Sequence, residues 1–346
     1  MSLLELTNLA LTYPGTQEPA VNSISLQMEK GEILALVGES GCGKSSTIRM
    51  IAGLEMPNKG EIRYGGELLN KPGFAVPPEH RGVGMVFQDN ALFPHMTVRE
   101  NIAFGVAEDD KAATDKMLEI VGLLDLGHRY PHEISGGQMQ RVALARALAP
   151  GPSLVLMDEP FNNLDIRIKR ALMEDIGDIL RETGTACLFI THEKDEAFIL
   201  ADRIAVMRNG RLLQTAPPRR LYESPVDTYV AEFFGRANHI PARRTSNGFQ
   251  TPLGPVPFPF GTGASDYPEQ GFLVHRPWDT ELRGSGELEV EILSCYFFGD
   301  YQEVRFRPVG YSGDSFKFFT HISGDFKAGM RFRMAIPADR LTFCKE

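Results

Sequence analysis

Gly38-Glu-Ser-Gly-Cys-Gly-Lys44-Ser45 is the stretch that decides the fold of the first part of this chain. It fits the pattern G-x-x-x-x-G-K-[ST], follows the apolar run ILALV and precedes the helical stretch STIRMIAGL. A glycine-rich turn between a strand and a helix lets the main chain wrap around an anion, with backbone N–H groups and the helix dipole directed at it. The segment therefore predicts a phosphate-binding loop, although a chance glycine turn fits the bare pattern and kinases, GTPases, helicases and transport ATPases all share it.

The loop assigns roles to individual side chains. Lys44 is expected to reach the β- and γ-phosphates of a nucleotide, and the Ser45 hydroxyl to ligate Mg²⁺. The residues expected to contact the nucleotide here are Gly38, Glu39, Ser40, Gly41, Cys42, Gly43, Lys44, Ser45 and Ser46.

Composition limits the classes of protein. The chain has 346 residues, of which 42% are apolar, so more than one folding unit is expected. A net charge of -9 argues against a nucleic-acid partner, which is held mainly by clustered Lys and Arg. No window approaches the roughly 18 apolar residues of a membrane span. Any work at a membrane is therefore expected to go through a partner.

The chain divides into two parts that differ in composition and hydrophobic pattern. Residues 1–238 alternate helical patterns with short apolar runs typical of buried parallel strands, which predicts an α/β domain; these runs are Ile33–Val37, Val83–Phe87, Leu154–Met157 and Ala186–Thr191. Residues 239–346 are rich in Pro, Gly and short strand-like runs, which predicts a small β-rich domain. Its expected strands cover residues 287–297, 301–306, 315–320 and 331–336.

Further motifs follow the loop in a fixed order. Ile134-Ser-Gly-Gly-Gln138 precedes the helical stretch MQRVALARALA, and its Ser and Gly backbone at a helix start forms a second anion-binding end. Leu154 begins an apolar strand that ends in Asp158 and Glu159, and His192 directly follows the strand ACLFIT. A strand ending in acids or in one His is by itself common, so only the combination is informative.

With these motifs in this order, the chain resembles the ABC ATPase family over about its first 237 residues. The resemblance implies a P-loop ATPase domain with a helical subdomain at about residues 89–150. The signature residues Ser135, Gly136, Gly137 and Gln138 would face the γ-phosphate bound by the opposite subunit, so two composite sites require a homodimer. Ile134 stands where the family usually has Leu, a conservative apolar change.

The resemblance also assigns catalytic roles. Asp158 would hold Mg²⁺ together with Ser45, and Glu159 would act as general base toward the attacking water. His192 would sense the γ-phosphate. Gln88, after the strand VGMVF, would ligate Mg²⁺ and water, in a loop whose apolar neighbours suit a docking surface for a membrane partner.

Two nucleotide contacts are implied outside the loop and the signature. Tyr13, before the first Pro-Gly turn, would stack on adenine, although generic strand packing is the alternative. The stretch Asn162-Asn163-Leu164-Asp165 corresponds to the D-loop that touches the opposite subunit, with Asn-Asn in place of the usual Ser-Ala. That change retains Asp165 but makes the dimer contacts of both asparagines less certain.

The tail narrows the class to importer ATPases with a regulatory, OB-like (TOBE-type) domain, through Val274-His-Arg-Pro277 and Phe298-Gly-Asp300. Segments around Tyr130–Glu133, Leu144–Pro150 and Ala201–Met207 look most like ferric-iron importers, and sulfate, spermidine, thiamine and sugar-phosphate importers share much of this pattern. Expected partners are two integral-membrane permease subunits and a periplasmic or extracellular substrate-binding protein, with the chain peripheral on the cytoplasmic face of the inner membrane. The tail would serve dimerisation or regulation.

Two alternatives belong to other classes. A soluble ABC ATPase acting on DNA or ribosomes is disfavoured, since the chain has one nucleotide domain and no long coiled-coil insertion before the signature. A nucleotide-binding regulator without turnover would be expected to lack Glu159 or His192, and both are present.

Overall fold

A computed structural model describes residues 2–107, 111–162, 166–259, 262–282, 288–321 and 324–345. The chain forms two compact units, Met1–Pro218 and Arg219–Glu346. Among the described residues, no helix is both long enough and apolar enough to cross a bilayer.

The first unit is built on a six-stranded sheet of order β11-β10-β3-β9-β8-β7. Its strands are β3 (Ile33–Val37), β7 (Val83–Val86), β8 (Leu154–Asp158), β9 (Ala186–Thr191), β10 (Arg203–Arg208) and β11 (Arg211–Ala216). All neighbours are parallel except β10 and β11. Every residue of β3 and β9 is buried, as expected for strands covered on both faces. The predicted parallel α/β sheet is confirmed.

A second, antiparallel sheet of order β2-β1-β4-β5-β6 belongs to the same unit. Its strands are β1 (Leu4–Leu11), β2 (Val21–Met28), β4 (Lys59–Tyr64), β5 (Glu67–Lys71) and β6 (Phe74–Ala75). The sequence pattern alone does not distinguish these strands from those of the parallel sheet. Residues of β1 and β2 share a core with β3, β8 and β9, so one buried cluster joins the two sheets.

Helices cover the parallel sheet and form the helical subdomain. They are α1 (Lys44–Ala52), α2 (Val98–Ala103), α3 (Lys111–Ile120), α4 (Gly136–Leu148), α5 (Ile166–Thr183) and α6 (Lys194–Leu200). Helices α2, α3 and α4 pack on one another within the predicted interval 89–150. Capping boxes start two of them, with Thr97 and Glu100 at α2 and Ser135 and Gln138 at α4.

The second unit is mostly β-structure. After α7 (Pro218–Glu223) and α8 (Thr228–Phe234) come β12 (Asn238–Arg244), β13 (Gly248–Thr251), β14 (Gly254–Pro257), β15 (Gln270–His275), β16 (Leu288–Phe297), β17 (Gln302–Pro308), β18 (Phe316–Thr320), β19 (Arg331–Met334) and β20 (Leu341–Cys344). They form sheets of order β14-β13-β12-β15-β20 and β18-β17-β16-β19 around a shared core, which is consistent with the predicted OB-like domain.

The boundary between the two units lies between Pro218 and Arg219. The predicted boundary, between residues 238 and 239, is later because it was placed where the composition changes. The reason is the packing of α7 and α8. Buried Arg276 donates hydrogen bonds to the carbonyl oxygens of Tyr222, Ala231 and Gly235, and Ala231 lies in a buried cluster with residues of β15 and β20. These helices therefore belong with the β-rich unit, although their composition resembles the first.

Candidate active site

The carboxyl ends of β3, β8 and β9 bring distant parts of the sequence to one edge of the sheet. Val37 at the end of β3 is paired with Thr191 of β9, and Asp158 at the end of β8 is paired with Ile190 of β9. The phosphate-binding loop, Glu159 and His192 follow these three strands directly. Such an edge is where open α/β sheets bind ligands.

The backbone of the loop requires glycine at two positions. Gly38 has φ 151° and Gly43 has φ 107°, and a Cβ atom on either would come within 2.1 Å of a backbone oxygen, of Met207 and Ala20 respectively. Gly43 is also the N-cap residue of α1, and it has no side chain to accept a hydrogen bond from the first turn. The leading N–H groups of α1 are thus available to an anion such as phosphate.

Lys44 lies across the inside of this loop. Its side chain is buried, and Nζ donates hydrogen bonds to the carbonyl oxygens of Gly38 at 2.8 Å and Glu39 at 2.9 Å. Cys42 is buried beside it, and burial raises the pKa of this thiol against the opposing charge of Lys44. The position of the ammonium group suits the predicted contact with phosphate oxygens.

Ser45 and Asp158 meet although 113 residues separate them: the Ser45 hydroxyl donates to Asp158 Oδ1 at 3.3 Å. Burial raises the pKa of Asp158, and the adjacent Glu159 adds to that effect while Ser45 opposes it. A partly desolvated carboxylate beside a hydroxyl is the hard oxygen donor set that Mg²⁺ prefers. The two residues fit the predicted metal role.

Glu159 has an unusual backbone and two side-chain neighbours. Its φ is 47°, a conformation that is energetically unfavourable for any residue other than glycine. Residues in such conformations are concentrated at functional sites. Its N–H donates to Ile190 O at 3.2 Å, which ties the residue to β9. The carboxylate lies 3.5 Å from His192 Nδ1 through Oε1, and its Oε2 accepts a hydrogen bond from Asn162 Nδ2.

Tyr13 reaches the same site from the antiparallel sheet. Its hydroxyl is 3.1 Å from the Ser46 hydroxyl in the first turn of α1, and its ring packs partly buried against the core. The ring therefore lies beside the phosphate-binding loop.

Other predicted residues lie elsewhere. Ser135 and Gln138 form a reciprocal pair, with Ser135 Oγ accepting from Gln138 N at 3.3 Å and Gln138 Oε1 accepting from Ser135 N at 2.9 Å. Gly136 and Gly137 begin α4 in the helical subdomain. Gln88 is exposed after β7, and no hydrogen bond within the described residues joins it to Ser45 or Asp158. Asn163, Leu164 and Asp165 fall outside the described residues.

Arg146 is a residue that motif reasoning missed. It projects from α4 and donates hydrogen bonds to the carbonyl oxygens of Ala91 at 2.7 Å and Asn90 at 3.0 Å, and its guanidinium lies 5.3 Å from the ring of Phe93. Asn90 and Ala91 have positive φ angles of 61° and 44°. The helix that carries the signature thus fixes the segment after Gln88. The sequence offered only an Arg in the run ALARAL as a signal.

The chain is similar in sequence to known proteins. A family model described as ABC transporter matches residues 21–162. The chain is 36% identical over 312 residues to a Fe(3+) ions import ATP-binding protein of Haemophilus influenzae, covering 88% of this chain and 86% of that protein. It is 41% identical over 299 residues to a spermidine/putrescine import ATP-binding protein of Oleidesulfovibrio alaskensis, covering 83% and 78%.

A solved structure shows the same fold in its nucleotide-bound form. It is a dimeric ATP-binding cassette in a post-hydrolysis state bound to ADP and Pi, with a TM-score of 0.54 and 27% identity. The match covers 62% of this chain and 99% of that one.

Proposed function

This chain belongs to the ABC transporter family of ATP-binding proteins and is an ATPase, and from that premise we propose that it powers an importer. The observation that carries the proposal is the convergence of five side chains at the carboxyl ends of β3, β8 and β9. They are Lys44, Ser45, Asp158, Glu159 and His192.

The loop binds the nucleotide. The N–H groups at the start of α1 and the ammonium group of Lys44 neutralise the phosphate oxygens, and Tyr13 stacks on the base. Ser45 and Asp158 would hold Mg²⁺, which would neutralise negative charge on the phosphates. The pKa of Asp158 is raised because its carboxylate is buried, and a neighbouring cation would stabilise the charged form of such a carboxylate.

Hydrolysis requires a positioned base. Glu159 lies near His192 through Oε1 and accepts a hydrogen bond from Asn162 through Oε2, and this carboxylate takes the proton of the attacking water. His192 is 44% exposed, so its ring has room to contact the γ-phosphate while it stays near Glu159.

The catalytic unit is a homodimer. Ser135 to Gln138 open α4 in the helical subdomain and bond to one another instead of to the loop. We infer that this helix start completes the site of a second copy, since its N–H groups and dipole favour a γ-phosphate. The dimeric ADP-bound cassette supports this arrangement.

Permease subunits dock at the surface beside Gln88, which places the chain peripherally on the cytoplasmic face of the membrane. Phe87 is 39% exposed and Phe104 is 60% exposed, and the ring of Phe104 packs at a tilt on Phe93, with the ring centroids 4.5 Å apart. Exposed aromatic groups that precede and follow the segment fixed by Arg146 suit a partner helix. A substrate-binding protein delivers cargo to the permease.

Ferric iron is the proposed cargo, and a polyamine is the second candidate. The first is supported by the Fe(3+) importer relative, and the second by the spermidine/putrescine relative at higher identity. Uptake of radiolabelled ferric iron and spermidine by cells with and without the gene separates them. Loss of iron uptake alone supports the first proposal, and loss of spermidine uptake alone supports the second. Unchanged uptake of both would contradict the two cargo proposals.

The catalytic assignment has its own test. Glu159→Gln keeps the shape of the side chain but removes the base, so MgATP binding and dimerisation should persist while turnover falls by about 10²- to 10⁴-fold. Nucleotide binding, sedimentation and phosphate release are measured on the same preparation. Wild-type phosphate release from the variant would remove Glu159 as the base.

A further inference from the structure

The carboxylate of Glu159 has a side-chain neighbour at each oxygen, and the one that donates a hydrogen bond is a residue that departs from the family pattern. Asn162 Nδ2 donates to Oε2, while His192 Nδ1 faces Oε1. The hydrogen bond from Asn162 restricts rotation of this carboxylate.

The turn between the two residues sets this contact. Asn162 N donates to Glu159 O at 3.3 Å, which closes the chain back on itself. Phe161 between them is fully buried, with no exposed surface, so its side chain anchors the turn in the core. The backbone of Asn162 is therefore held close to Glu159, within reach of its side chain.

The amide has suitable chemistry for this position. Asn offers two N–H donors, and each carboxylate oxygen has two lone pairs. An Oε2 that accepts one hydrogen bond still has capacity for a water proton. The hydroxyl of the usual Ser is attached directly to Cβ, so it is shorter than the Asn amide and reaches less far toward Oε2.

We propose that Asn162 is a positioning residue for Glu159: its amide fixes the orientation of the carboxylate that receives the proton of the attacking water. This inference rests on the proposed role of Glu159 as base. It assigns Asn162 a task within its own subunit, in place of the dimer contact that the D-loop position suggests.

The first experiment separates binding from turnover in the full chain. Asn162→Leu has nearly the same shape without a donor, and loss of orientation should lower kcat about 10²-fold. KM for MgATP should change less than about threefold, since the loop that binds phosphate is untouched. Asn162→Gln retains the amide and should lose less than about tenfold in kcat.

Two outcomes would overturn the proposal. One is a wild-type kcat in Asn162→Leu. The other is a loss of MgATP-driven dimerisation that accounts for the loss of kcat, which would make Asn162 a dimer contact. A fully active Glu159→Gln would instead contradict the proposed base, so the two failures are distinguishable.

A double-variant cycle decides the matter even if Asn162→Leu folds poorly. Asn162→Asp places a second carboxylate against Glu159 and should lower Tm, and adding Glu159→Gln should restore most of that loss because the repulsion is gone. Additive Tm changes would show that the two side chains do not interact and would overturn the proposal.

Discussion

His192 Nδ1 lies 3.5 Å from Glu159 Oε1, across the ends of the neighbouring strands β9 and β8. The two residues are far apart in the sequence, and only the pairing of their strands brings them together. A histidine in this place can orient the carboxylate and still face the γ-phosphate.

His192→Ala should therefore lower kcat by about 10²-fold or more while KM for MgATP changes little. Steady-state phosphate release measures both constants. His128→Ala is the matched control, because His128 is an exposed histidine of the same unit, in the helical subdomain. Equal activity of the two variants would contradict a role for His192 in turnover.

Gly43→Ala should destabilise the first unit far more than Gly41→Ala. Both glycines have positive φ, which costs an alanine about 1–2 kcal/mol. At Gly43 the new Cβ would also meet Ala20 O at 2.1 Å, whereas at Gly41 no atom lies within 4 Å. We expect a loss of about 3 kcal/mol or more in the free energy of unfolding for Gly43→Ala and about 1 kcal/mol for Gly41→Ala. Urea unfolding compares them, and equal losses would contradict the steric explanation.

Lys169→Met tests a buried ion pair near His192. Lys169 Nζ contacts Glu193 Oε1 at 2.8 Å and also Glu196, whose side chain is 3% exposed. Removing the cation leaves Glu196 as an unpaired buried charge, which should cost about 3–5 kcal/mol in the free energy of unfolding. The neighbouring Arg170 pairs with Glu174 on the surface, and Arg170→Met should cost less than about 1 kcal/mol. Similar values from denaturant unfolding would argue against the pair as a stabilising contact.

The second unit should lose stability in acid through His275. This side chain is fully buried, Asn238 Nδ2 donates to its Nδ1 at 2.9 Å, and burial lowers its pKa to about 4. Since the unfolded chain binds the proton more readily, the contribution of His275 is present above about pH 6.5 and is lost progressively toward pH 4. The full loss amounts to about 3 kcal/mol.

The measurement uses the single tryptophan of the chain, Trp278, which lies in the second unit. Urea unfolding followed by its fluorescence at several pH values should give a weaker acid dependence for His275→Gln than for the wild type. His128→Gln, an exposed change in the first unit, is the control. Parallel pH curves for the wild type and His275→Gln would contradict the assignment.

Local sequence was sufficient wherever the signal lies in consecutive residues. The buried strands β3 and β9 have the predicted bounds because an uninterrupted apolar run can be satisfied only inside a covered sheet. The start of α4 follows from Ser135 and Gln138, three positions apart, which cap each other. The phosphate-binding loop could be recognised from its glycines, because its backbone geometry excludes residues with a side chain at those positions.

Contacts between residues distant in the sequence could not be predicted in the same way. The antiparallel sheet went unrecognised because the register of strands such as β1 and β4, distant in the chain, is set by pairing partners. The unit boundary was expected about residue 238 because composition does not report that α8 packs on β15 and β20. Arg146 belongs to no recognisable motif, because its role depends on hydrogen bonds to two carbonyl groups more than fifty positions away in the sequence.

The sequence alone determined that this chain has a phosphate-binding loop, because the eight consecutive residues from Gly38 to Ser45 contain the whole motif. Tertiary structure decided how the remaining residues act on it. Sheet order placed Asp158 beside Ser45 and Glu159 beside His192, and the packing of α5 on α6 placed Lys169 beside Glu196. The physical reason is that a side chain's reactivity depends on its neighbours within a few ångströms, and in a parallel sheet those neighbours are chosen by strand pairing rather than by distance along the chain.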